Sequence, residues 1–199
     1  MGKRFYLSLV TVQAMSELQD AVGPATATLV YTPSSHEGCP DLLSTAGPET
    51  TVVWVTYTRP PADCAERFRE AGGEGTLAVI AVGEAATPSS PLGVSVETVS
   101  TPEDLTGLGI LLSRKVSDHD DVVVCFGSLT ELLRHVDCET AYEFLNAVTG
   151  HLYAADARAY FHLEAATQDD ETVGALGSLF DAVAERREGQ WTVRTRDLL

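Results

Sequence analysis

Residues 51–57 read TVVWVTY, seven positions that carry no charge and are mostly β-branched or aromatic. A run of this kind fits a strand covered on both faces, the environment of a central strand in a parallel sheet. DVVVCF at residues 121–126 has the same character. Working outward, TATLVY (26–31), TLAVIAV (76–82) and AYFHL (159–163) read as further strands, with a short addition at VSVETV (94–99). QWTVRT (190–195) alternates apolar and polar residues and reads as an edge strand.

Helical patterns fall between these runs. The stretch Thr101-Pro102-Glu103-Asp104 offers a cap and a proline at the first helical position, with Leu105, Leu108, Leu112 and Val116 behind it on one side. Residues 139–155 carry Ala141, Phe144, Leu145, Val148 and Leu152 at core spacing. Thr167-Gln168-Asp169-Asp170 reads as another cap, with a helix running through Val173, Leu176, Phe180 and Val183. Near the amino terminus Val12, Met15, Leu18 and Val22 keep helical spacing. GEAATPSSPLG (83–93) reads as an exposed loop of low complexity. Strands alternating with helices predict one domain over residues 1–199, an α/β three-layer sandwich with a mostly parallel sheet.

Charge narrows the function classes. Among 199 residues, 13 are basic and 29 acidic, a net charge of −16. Lys3 and Lys115 are the only lysines. Acid excess with so little lysine is what a cytosol of molar salt favours, where the Debye length shrinks to ~3 Å and carboxylate repulsion is screened. The same surface disfavours direct nucleic-acid binding, which needs a basic footprint. No apolar run reaches the ~18 residues of a membrane span. Lys3-Arg4 followed by FYLSLVTV faintly resembles a leader, but Ser8 and Thr11 interrupt it. Cys39, Cys64, Cys125 and Cys138 are too sparse for a disulfide scaffold, so a reduced cytoplasm is the expected compartment, with Cys125 a buried small residue.

In an open parallel sheet, ligands sit at the carboxyl ends of the strands. The first of the helix-flanked strands leads into Thr32-Pro33-Ser34-Ser35-His36-Glu37-Gly38-Cys39-Pro40, followed by a short helix and TVVWVTYT. This order, with VETVSTPEDLTGLGILLS, VVVCFGSLTELLRHVD, AYEFLNAVTGHL and AYFHLE…ETVGALGSLFDAV, resembles a group of haloarchaeal KaiC- or RecA-like proteins. Members of that group are sometimes described as sensory-transducer-like. The resemblance implies a P-loop NTPase fold over roughly residues 15–195, with a ligand site at Ser34, Ser35, His36, Glu37, Gly38, Gly127 and Ser128.

The departures from that pattern point away from catalysis. A P-loop needs glycines to wrap phosphates, a lysine for the terminal phosphates and Ser/Thr for magnesium. Here the loop has Gly38 alone and no lysine, and Glu37 faces phosphate unfavourably. RecA-type ATPases carry an acid after the second strand, where this chain has Thr58-Arg59-Pro60-Pro61. They also end the magnesium-ordering strand with an acid, where this chain has Gly127. Each lost charged hydrogen bond is worth about 1.5–3 kcal/mol, so three losses remove a millimolar site. The expectation is therefore a protein that is not an enzyme and holds no cofactor or metal. It would act through a protein partner or a homo-oligomer in signalling or transcriptional control. Its candidate surfaces are the loops at residues 32–40, 59–64 and 127–131. A structural place in a larger assembly is not separable from this.

The alternative is a small-molecule binder or enzyme with a rebuilt pocket lined by Ser34, Ser35, His36, Glu37, Ser128 and Glu131. Other groups read as structural. Cys39 stands at a helix start that would lower its pKa, but a semi-exposed cysteine beside a cap is the simpler account. His135, Asp137, Cys138 and Glu139 lack a second ligand pair for zinc. Asp118-His119-Asp120-Asp121 reads as a solvated turn. His162 and Glu164 end a strand where related ATPases keep sensing residues.

Overall fold

A computed structural model of the chain describes residues 7–12, 15–23, 25–33, 46–87, 91–187 and 190–196. Nine strands form one sheet: β1 (Leu7–Val12), β2 (Ala27–Tyr31), β3 (Thr51–Thr56), β4 (Thr76–Val82), β5 (Ser95–Val99), β6 (Val122–Gly127), β7 (Arg158–Leu163), β8 (Ala182–Arg187) and β9 (Gln190–Arg196). Their order across the sheet is β1-β9-β8-β2-β7-β6-β3-β4-β5. The seven strands from β8 to β5 run parallel, and β9 pairs antiparallel with both β8 and β1. The interior strands match the apolar runs that predict them to within one residue at each end, and β4 coincides with its run.

Among the described residues six helices cover the two faces: α1 (Met15–Val22), α2 (Pro61–Glu70), α3 (Leu105–Ser117), α4 (Leu129–His135), α5 (Cys138–Ala154) and α6 (Asp170–Gly177). Strand alternation splits the interior into two cores. Val53, Val55 and Tyr57 point into one, with Leu108, Leu112, Leu145, Phe126 and Phe161. Val52 and Trp54 point into the other, with Leu18, Val22, Cys64 and Phe68. Helices on both sides of a mostly parallel sheet make the three-layer α/β sandwich that the apolar runs predict.

Several local expectations are corrected. The helical spacing through Val12 begins only at Met15, because residues 7–12 extend as β1 and pair with β9. The single helix expected through Val183 stops at Gly177, and Val183 lies in β8. A tertiary clamp fixes that break: the Asp181 carboxylate accepts the backbone N–H groups of Thr26 and Ala27, each at 3.0 Å. Residues 190–196 are not an edge strand, since β1 covers their outer side. The helix caps sit further along than expected. Asp104 rather than Thr101 caps α3 through Gly107 N, and Asp169 rather than Thr167 caps α6 through Thr172 N. In the loop at 83–93 a 3-10 turn spans Gly83–Ala85, with Ala85 buried. Residues 88–90, and the short helix expected before residue 46, lie outside the described residues.

Candidate functional site

The topology itself marks a crevice. From β3 the chain leaves through α2 to β4 on one side, whereas from β6 it leaves through α4 and α5 to β7 on the other. Adjacent parallel strands whose connections diverge open a cleft at their carboxyl ends. Thr56 and Gly127 are register partners at the mouth of this one.

Of the predicted site residues, Ser34, Ser35, His36, Glu37 and Gly38 lie outside the described residues, as does Cys39. Gly127 ends β6, and the peptide joining it to Ser128 is cis. Ser128 is buried, and its Oγ accepts the Glu131 N–H at 3.3 Å as the cap of α4. Glu131 is buried as well, with both carboxylate oxygens on Arg134 Nη1 at 2.9 and 3.1 Å. Thr130 Oγ1 accepts the Glu164 N–H at 2.8 Å, which locks the start of α4 to the end of β7. The polar side chains following β6 are thus engaged with one another and with backbone.

On the opposite face of the sheet His162 is fully buried and lies with its Nε2 3.5 Å from Cys125 Sγ. Its Nδ1 has no hydrogen-bond partner. Burial pushes its pKa down to about 4, so the ring is neutral at pH 7. Cys125 is buried as expected but is disulfide-bonded, which departs from the expectation of cysteines in a reduced compartment; Cys64 and Cys138 are free. Burial pushes the Cys64 thiol up to about 12, leaving it an inert core residue.

Other singled-out groups do structural work. Asp137 Oδ1 accepts the Thr140 N–H at 2.8 Å as the cap of α5, and Asp121 accepts the Thr50 hydroxyl at 2.5 Å. No three His, Cys, Asp or Glu side chains converge on a metal position among the described residues. No helix among them is long and apolar enough to cross a membrane.

The divergence between β3 and β6 contains a cavity of about 790 Å³ that the residue-type reading did not find. Tyr57 from the end of β3, Glu84 after β4, Glu103 before α3, and Glu131, Arg134 and His135 from α4 line it. Tyr57 and His135 stack with ring centroids 6.3 Å apart, and His135 Nδ1 is 3.7 Å from Glu103 Oε1. Tyr57 is only 5% exposed, and its hydroxyl has no hydrogen-bond partner. Burial, reinforced by the Glu103 carboxylate, raises its pKa well above the usual phenol value. Only Glu131 of this group was among the expected pocket residues. A tyrosine closing an otherwise apolar central strand was the available signal, because strand ends in this topology face ligands.

Comparison with known proteins adds the following. A family model, described as a family of unknown function (DUF7504), matches residues 12–186. No curated protein matches the sequence. Among solved structures, the "Structural study of Project ID PH0250 from Pyrococcus horikoshii OT3" is similar with a TM-score of 0.57 at 12% identity. The match covers 88% of this chain and 88% of that one. At such identity the likeness carries the fold alone.

Proposed function

This chain belongs to DUF7504, a family of unknown function, and from that premise we propose that it is a non-catalytic RecA/KaiC-like domain. It acts as a cytoplasmic interaction or regulatory protein of a salt-loving organism, through a protein partner or a second copy. The observation that carries this reading is the engagement of the polar groups after β6. Ser128 caps α4, Glu131 holds Arg134 and Thr130 holds the Glu164 backbone. In a working ATPase of this kind that position would present a free carboxylate to magnesium, and here it is Gly127. The RecA-like reading draws support from the sheet order. The loop after β2 and the turn after β6 leave parallel strands on either side of β7, so their carboxyl ends share one edge of the sheet. The net charge of −16 supports a role without direct nucleic-acid contact.

Light scattering in molar potassium chloride tests the associative half of the proposal. The reading expects a defined oligomer, or a defined complex when a candidate partner is added. A strict monomer that carries a co-purifying metabolite would contradict it. That second reading, a small-molecule binder, is favoured by one observation, the cavity around the unpartnered Tyr57 hydroxyl.

A further inference from the structure

The cavity between β3 and β6 differs from an ordinary polar rim in that one of its lining residues, Tyr57, has a buried hydroxyl with nothing to bond. A buried polar group without a partner costs of the order of a full desolvation penalty, so it is kept where a partner arrives from outside. Tyr57 is 95% withdrawn from solvent, and its ring is fixed from two sides, by Phe126 at 6.1 Å and by His135 at 6.3 Å between centroids. The hydroxyl therefore cannot swing out to water without unpacking the core.

The charges around it give the class of that partner. Three carboxylates, Glu84, Glu103 and Glu131, face the cavity, and among the described residues that line it Arg134 is the only guanidinium or lysine cation. Arg134 is already bound to Glu131 through both carboxylate oxygens. Among the described residues Glu103 has only His135, at 3.7 Å, which balances it only when protonated. The lining is thus a net anion, and it includes Tyr57, whose unpartnered phenol oxygen is able to accept a hydrogen bond. The rim is also built closely. Gly83 has a positive φ of +59°, and a Cβ there would lie 2.8 Å from Pro102 Cγ. Glycine at this turn lets Pro102 settle against it, which draws Glu84 and Glu103 to the same opening.

We propose that this cavity is a binding site for a small organic amine in its ammonium form. The ammonium donates to the Tyr57 hydroxyl oxygen and is balanced by Glu103 and Glu84. This rests on the small-molecule reading above and makes the cavity a place where a metabolite could regulate the domain. The volume of about 790 Å³ falls within the range of known ligand pockets.

Three four-carbon probes that differ in charge decide the matter: putrescine, 1,4-butanediol and succinate, each titrated calorimetrically into the purified protein. Putrescine is expected to bind with a dissociation constant below about 1 mM, and at least about tenfold more tightly than either of the others. Tyr57→Phe keeps the ring and removes only the oxygen, and it is expected to weaken putrescine about tenfold. Glu103→Gln sits on an exposed carboxylate, where folding is not at stake, and is expected to weaken it similarly. Equal binding of the three probes, preferred binding of succinate, no putrescine binding, or putrescine affinity unchanged in both variants would each overturn the proposal. Such a failure leaves the non-catalytic reading standing, because nucleotide binding and association are measured separately.

Discussion

Thr130 Oγ1 accepts the backbone N–H of Glu164 at 2.8 Å, across 34 positions of sequence. The bond joins the first turn of the helix after β6 to the last residue before the turn after β7. Thr130 is 2% exposed, so water cannot replace the lost partner readily. Replacing the hydroxyl with a methyl group should therefore expose the cost of an unpaired N–H. Thr130→Val is expected to destabilise the fold by about 1–3 kcal/mol, with Thr130→Ser losing less because it keeps the acceptor. Urea denaturation of the two variants beside the parent checks this. Equal midpoints for the parent and Thr130→Val would show that the bond contributes nothing.

His162 provides a pH signature. Its folded pKa of about 4 lies below the ordinary value of 6.5, because burial disfavours the charged ring. Above the unfolded value the ring is neutral in both the folded and the unfolded chain, so its titration takes nothing from stability. As pH falls from about 6.5 toward about 4, the unfolded chain takes up a proton that the folded one refuses, and stability drops. Over that window the loss from this one group is about 3 kcal/mol. Denaturation midpoints measured from pH 7 to pH 4 should fall more steeply in the parent than in His162→Gln. Parallel curves would show that the ring titrates normally.

The acidic surface makes a third expectation. At net −16 with two lysines, self-repulsion is strong in dilute buffer and is screened at molar salt. The melting temperature should rise steadily between about 0.1 M and about 3 M potassium chloride. A flat or falling profile would leave the charge without this explanation.

The interior of the sheet was readable because its strands are covered on both faces. TVVWVT and VVVCFG carry no charge and are mostly apolar, and no helix period fits them better. The far edge was not readable for a different reason. Val183 falls at helical spacing from Phe180 and Leu176, so local pattern continues the helix. Two hydrogen bonds from Asp181 to the start of β2, 154 and 155 positions away, belong to the tertiary fold and leave no local trace. Likewise, β1 is a half-alternating strand that runs directly into the helical spacing of Met15, Leu18 and Val22. Of the residues that line the candidate site, Glu131 was legible because it follows an unmistakable strand. Tyr57, Glu103 and His135 come from three separate elements, and only the strand order brings them to one cavity.

The central claim is that the phosphate-binding chemistry of this scaffold is absent, while the scaffold serves another kind of binding. Calorimetry with Mg-ATP in molar potassium chloride tests it most directly. The account predicts no heat of binding that corresponds to a dissociation constant tighter than about 100 µM, near −5.5 kcal/mol. A tighter constant, lost on omission of magnesium, would contradict it and establish a rebuilt nucleotide site.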